Sequence, residues 1–166
     1  MQWALPEWVV LALVAEEPRH GFAIAALTAE GGPVGRVWQI PRQMIYRSIG
    51  RLETAGLLEP RTVESGPGPQ RTVYQLTPEG RAAAEDWLRQ PVVHVRELRS
   101  HLLLKLALLD RRGIESGPLL KRQQEVLEPI VEALATARKQ DGFDAVLRAW
   151  RYTNAAAALR FVEDLL

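Results

Sequence analysis

Cysteine is absent from the 166-residue sequence. Disulfides, thiolate nucleophiles and cysteine-ligated zinc are excluded together, and the composition fits a reducing, cytoplasmic setting. Long hydrophobic runs are missing too. The longest near the start, Trp8 to Ala15, is too short to span a bilayer. No basic stretch precedes it and no small-residue cleavage site follows, so neither a signal peptide nor a membrane partner is expected. Catalytic signatures are equally scarce. There is no G-x-S-x-G elbow and no phosphate-binding loop, and the three histidines have no obvious nucleophile beside them. Gly66-Pro67-Gly68 does not link a strand to a helix, so it is no dinucleotide fingerprint. Catalysis is not expected, and no cofactor is called for.

Excess charge is also lacking, with 21 Lys plus Arg against 20 Asp plus Glu. Its distribution says more than its sum. From Arg36 to Arg71 there are six arginines (36, 42, 47, 51, 61 and 71) against Glu53, Glu59 and Glu64, about +3 in a near-neutral chain. Before Lys105 every basic residue other than histidine is arginine. Genome base composition explains that bias as well as function does, yet the planar guanidinium suits phosphates and guanine edges. A hydrophobic share of 47% with 25% charged residues is that of a globular protein, which rules out the disordered and fibrous classes.

Punctuation by proline and glycine marks the elements. A first helix spans about Leu5 to Glu16, with Pro6 in its first turn and Pro18 just beyond its end. A second, from about Gly21 to Glu30, has an apolar side of Phe22, Ile24, Ala26 and Leu27. A third runs from near Pro41 to Gly56. Its Ile45, Ile49 and Leu52 stand at i, i+4 and i+7, one narrow apolar stripe. The opposite face carries Gln43, Arg47, Gly50 and Thr54, flanked by Tyr46 and Arg51, with Arg42 in the first turn. A solvated face usually mixes Glu with Lys; this one is Arg, Gln and Tyr near its start. It reads as a recognition face as much as a solvated one. Leu57–Val63 and Arg71–Leu76 flank the turn-rich segment Glu64–Gln70 and predict a hairpin, with Pro60 at an edge or a bulge. Thr77-Pro78-Glu79 then opens a fourth helix.

Three helices followed by a hairpin describe a winged helix-turn-helix. The fold class is therefore mainly α with a small β-hairpin wing: a winged helix-turn-helix domain over residues 1–90 and a helical dimerisation domain over 91–166. In the second part, Leu98, Leu102, Leu106 and Leu109 form a stripe. A helix from Ser116 or Gly117 to about Gln140 contains Pro129. Asp141 caps a last helix with Phe143, Leu147, Trp150, Asn154, Ala157, Phe161 and Leu165 at helical spacing. Apolar faces this wide are hard to bury within 76 residues, so a homodimer through these helices is expected.

The assembled pieces resemble the PadR family of bacterial transcriptional regulators. The resemblance rests on Leu11 to Leu13 with Pro18-Arg-His-Gly-Phe22, on Ile40-Pro-Arg-Gln-Met-Ile-Tyr46 with Ile49, Arg51-Leu52 and Ala55-Gly56-Leu57-Leu58, on Gly66 to Arg71, and on Val73-Tyr-Gln-Leu-Thr-Pro-Glu-Gly80. Glu97 to Ala107 and Leu109 are similar to the family's longer C-terminal type. The resemblance implies a dimeric repressor on a double-stranded DNA operator, released by a small aromatic effector. Carried over, Gln43, Tyr46 and Arg47 face DNA, with Arg42, Arg51 and Arg71 as phosphate contacts and His20 a further phosphate candidate. Packing against the second helix is the other reading of Tyr46. The wing tip departs from the family pattern, since only Arg71 is basic there.

Five tryptophans raise the question of an effector site. Trp8, Trp87 and Trp150 are the candidates, with Trp3 near the first helix, although core or dimer packing is the commoner role. His94, Glu97 and His101 share a helical face, but the two histidines stand two turns apart, so no metal site is expected. The alternative function is a winged-helix protein-interaction module whose Arg-rich third helix docks an acidic protein surface.

Overall fold

The computed structural model describes residues 3–65, 68–137 and 141–166. They form two compact units, Met1–Leu88 with Leu103–Ile114, and Arg89–Leu102 with Glu115–Leu166.

The first unit is built around α1 (Leu5–Glu16). Val9, Val10, Leu11, Ala12 and Leu13 are all fully buried, which a helix apolar all round requires. It packs against α3 (Arg42–Thr54), β3 (Arg71–Leu76) and α5 (Leu103–Arg111), and each large side chain so buried stabilises by about 1.5–3 kcal/mol. α2 (Gly21–Thr28) stops two residues short of the expected Glu30. There the Thr28 hydroxyl donates back to the carbonyls of Ile24 and Ala25 at 3.1 and 3.3 Å. Its buried face is Gly21, Ile24, Ala25 and Thr28, so Phe22, expected on the apolar side, instead points outward and is 45% exposed. In the loop from α2 to α3, Val34 is fully buried and donates its N–H to the Leu27 carbonyl at 3.0 Å.

The hairpin forms from β2 (Leu58–Glu64) and β3, with a register break between Pro60 and Thr62 on the edge strand β2, where the missing proline N–H costs least. A two-residue strand β1 (Arg19–His20) completes an antiparallel sheet of order β1-β3-β2. It pairs Arg19 with Tyr74 and His20 with Val73. Nothing so short is legible in hydrophobic alternation. Residues 66 and 67 of the expected turn lie outside the described residues. Thr77 precedes α4 (Pro78–Arg89) and caps it, accepting from the Gly80 N–H at 3.1 Å. The same hydroxyl donates to the Gly56 carbonyl at 2.7 Å, tying the start of α4 to the end of α3.

The compact units differ from a division at residue 90. Leu103–Ile114 belongs with the first unit, because Leu104, Lys105, Leu108 and Leu109 are buried there. Arg111 clamps Glu16 at the end of α1 with two 2.8 Å bonds, and Arg19 adds a third cationic bond to the same carboxylate at 2.9 Å. Leu106, expected in the buried stripe, is only half-buried. Leu98, Leu102 and Leu109 of the same stripe are buried, and a π turn, Leu98–Leu102, precedes α5.

In the second unit, a 3-10 turn (Val95–Glu97) leads into that π turn, and α6 (Gly117–Thr136) packs along α7 (Gly142–Asp164). Residues 138–140, where the sequence predicts the end of α6, lie outside the described residues. The buried Gln123 amide serves both the N–H and the carbonyl of Val92, at 2.7 and 2.8 Å. Asp141 occupies the N-cap of α7, but its side chain makes no cap bond. The expected apolar stripe of α7 faces out: Phe143 is 76% and Trp150 67% exposed, and only Ala155 and Val162 are buried. No helix among the described residues is long and apolar enough to cross a membrane.

One cation sits inside the first unit. Lys105 is 3% exposed, with its Nζ 4.8 Å from the centre of the Trp87 ring. Burial pushes its ammonium down from 10.5 to about 8, with the Asp86 carboxylate pulling the other way. The folded pKa lies below the unfolded one, so the folded state holds fewer protons in the interval and stability rises with pH through it. Between about pH 8 and 10, the free energy of urea unfolding should rise by on the order of 2 kcal/mol. The same titration on Lys105→Met should lose that slope. An equal slope in both proteins would show that Lys105 is not its source.

Candidate nucleic-acid interface

The phase of α3 about its axis decides which side chains face outward. Ile45, Ser48, Ile49 and Leu52 are buried, which leaves Gln43, Arg47, Gly50 and Thr54 along the exposed line. An ion pair sets the same phase. Glu7, on α1, is 3% exposed, and Arg51 Nη1 donates to its Oε1 at 2.7 Å. Glu7 Oε2 finds no hydrogen-bond partner among the described residues, so Arg51 supplies the compensation alone. The Arg51 guanidinium also lies 5.4 Å from the centre of the Trp3 ring. Arg51, expected as a phosphate contact, is half-exposed and also pairs with Glu7, since a buried carboxylate needs a cation beside it.

The other expected residues separate into two groups. At the N-terminal end of α3, Arg42 lies over the rings of both Phe22 and Tyr46, at 5.4 and 5.5 Å. Arg71, from β3, lies over the Phe22 ring at 4.8 Å. Helix, wing strand and α2 therefore meet in one arginine–aromatic cluster. Stacking keeps each guanidinium plane oriented while leaving its N–H edge free to donate. Sequence reasoning misses Phe22 as a member, because a lone aromatic next to a helix start reads as core. Tyr46 meets both of its expected readings in part. It is 45% exposed, yet its ring lies so close to Gly21 that a Cβ there would stand 2.7 Å from Cε1. Gln43 and Arg47 form the second group, exposed on the outer line beside the cluster.

His20 is the N-cap of α2, its Nδ1 accepting from the Ala23 N–H at 3.0 Å. That bond places the ring proton on Nε2, the nitrogen left to donate. The tryptophans part company. Trp8 and Trp87 stack on each other, 5.7 Å between centroids and 2° between planes, whereas Trp150 lies in the other unit. Two arginines, a glutamine and a tyrosine on and around one exposed helix, with a hairpin strand supplying a third arginine, make a cationic surface able to donate bidentate hydrogen bonds.

Helices, turn and hairpin of the first unit define a winged helix-turn-helix protein. Residues 10–86 match the model of the transcriptional regulator PadR-like family. It is 27% identical over 100 residues to a probable transcriptional regulator of Mycobacterium tuberculosis, Rv1176c, a match covering 60% of this chain and 51% of that protein. The chain thus spans about half the length of this curated relative. The crystal structure of Bacillus subtilis PadR in complex with operator DNA has a similar fold. Its TM-score is 0.51 at 18% identity, over 98% of each chain. Bacillus subtilis PadR in complex with p-coumaric acid gives 0.46 at 16% identity, over 95% of this chain and 94% of that one.

Arg51 and Arg47 should separate stability from surface function. Arg51→Ala strands a buried carboxylate and should cost about 2–4 kcal/mol of unfolding free energy, while Arg47→Ala stays within about 0.5 kcal/mol. Urea denaturation of both variants measures this. Equal stabilities would mean that Glu7 does not depend on Arg51.

Proposed function

We propose that the chain is a sequence-specific DNA-binding transcriptional regulator, acting in the cytoplasm as a dimeric repressor on a double-stranded operator. The observation that carries this reading is the outer line of α3. Gln43 and Arg47 are exposed there, next to a cluster that presents Arg42 and Arg71 on the rings of Phe22 and Tyr46. In the mechanism, Gln43 and Arg47 read base edges in the major groove, Gln favouring adenine and Arg guanine. Arg42, Arg71 and the Tyr46 hydroxyl position the domain on phosphates, and the free Nε2 of His20 adds a donor at the start of α2. The family is a class of regulators, and the reading for this chain is binding without catalysis.

Dimerisation is assigned to the C-terminal helices. Phe143, Val146, Trp150 and Phe161 leave an apolar face of α7 in solvent, a face that a second copy would cover. Effector sensing is assigned to Trp8 and Trp87. They are stacked on each other with the buried Lys105 ammonium beside Trp87, so a small aromatic acid would have to open the pair to reach ring and charge. Trp150 offers a second aromatic surface on α7.

A mobility-shift titration tests the core of this reading, using duplex DNA from upstream of the chain's own gene with excess competitor at two salt concentrations. Binding should resist competitor and weaken steeply with salt as phosphate counterions are released. Arg47→Ala should lose about 1–3 kcal/mol of that binding. Absence of binding even at low salt would overturn the reading in favour of a protein-docking module. Unchanged binding by Arg47→Ala would remove Arg47 from the base-reading set.

A further inference from the structure

Gly50 is the residue on α3 that the fold does not explain. It lies in the interior of a regular helix, where glycine is the poorest helix former after proline. Its φ is not positive, so no left-handed turn calls for it. A Cβ built on it meets nothing within 4 Å, so no neighbour among the described residues calls for it either. Gly50 lines an open groove of about 500 Å³ together with Trp3, Arg47, Arg51, Thr54 and Ala55. The groove is walled by two guanidinium groups and one indole. Thr54 donates its hydroxyl to the Gly50 carbonyl at 2.8 Å, so the polar backbone of that turn is already satisfied.

The length of the exposed line says what belongs there. Gln43, Arg47, Gly50 and Thr54 extend along roughly 16 Å of helix axis. The major groove of B-DNA is only about 12 Å wide. If α3 enters the groove end-on, with its Gln43 end reading bases, the line overruns the groove and one sugar–phosphate strand crosses its C-terminal half. Gly50 is the one position there without a side chain, between two arginines.

We propose that Gly50 is a close-approach site for one DNA strand: its bare Cα lets the sugar–phosphate backbone settle against α3 between Arg47 and Trp3. The glycine thereby sets how deeply α3 enters the groove, and so how well Gln43 and Arg47 reach base edges. This rests on the DNA-binding reading above, and its test keeps the two apart.

The experiment is fluorescence anisotropy on a duplex selected from a random-sequence pool by the native protein. Gly50→Ala is compared with Gly117→Ala, a helical glycine of the second unit whose Cβ would also meet nothing. Gly50→Ala should melt about 2–4 °C higher than native, because alanine is the better helix former. It should nevertheless bind roughly tenfold more weakly, with a shallower dependence on salt as phosphate contacts are lost. Gly117→Ala should bind as native does. A more stable Gly50→Ala with native affinity and native salt slope would overturn the inference while leaving the DNA-binding reading intact. Failure of the native protein to select any duplex would overturn both.

Discussion

A helix that presents an outer face to a partner is useful only at one rotation about its own axis, and for α3 that rotation rests on a buried carboxylate. Glu7 lies inside the first unit with one oxygen on Arg51 and the other without a partner among the described residues. Turning α3 by one residue would swing Arg51 away by about 100° and leave a charge without compensation in the interior. Ile45, Ile49 and Leu52 enforce the same rotation by burial. The apolar stripe tolerates small slippage, since hydrophobic contact has no direction. The ion pair does not, because its geometry is that of a hydrogen bond. Stripe and pair together convert a helix that packs into a helix that points.

The arginines left outside are constrained in a different way. Arg42 and Arg71 are long side chains that would lose considerable rotamer entropy on meeting a phosphate. Resting on Phe22 and Tyr46 removes part of that freedom before any partner arrives. The arrangement also ties the wing strand to the head of α3, since Phe22 holds one arginine from each. The Gly21–Tyr46 approach completes it: a side chain at position 21 would push the Tyr46 ring off α2 and scatter the cluster.

Most of the architecture is legible from residue types. Pro6, Pro18, Pro41 and Gly56 bound α1 and α3 closely, and Thr77-Pro78 marks α4, because these residues act locally through φ, missing donors and side-chain caps. What stays illegible depends on distant contacts. The strand β1 is two residues long and exists through its pairing with β3. The π turn Leu98–Leu102 is likewise absent from a reading by helical periodicity, which has no symbol for it. Phe22 is legible as an aromatic but not as exposed, and Arg51 as a cation but not as the partner of a buried carboxylate 44 positions away. Apolar periodicity finds faces; it does not say which polar side chain is committed to a distant partner.

That distinction changes the meaning of the arginine count. Six arginines against three glutamates between positions 36 and 71 describe a segment, not a surface. One arginine is committed to Glu7, which lies outside that segment and does not enter the sum. Glu59, counted as opposing charge, accepts a bond from Gln75 on the hairpin at 2.7 Å, away from α3. Glu53 stands towards the C-terminal end of α3 and, second to burial, raises the pKa of Tyr74, so its field is also felt toward the sheet. The acids are set toward the hairpin and the end of α3, while Arg42, Arg47 and Arg71 stand at the head and outer line of the helix. A near-neutral chain thus presents a cationic edge by placing its charges, and at ranges shorter than the Debye length of about 8 Å it is this placement that a phosphate would feel.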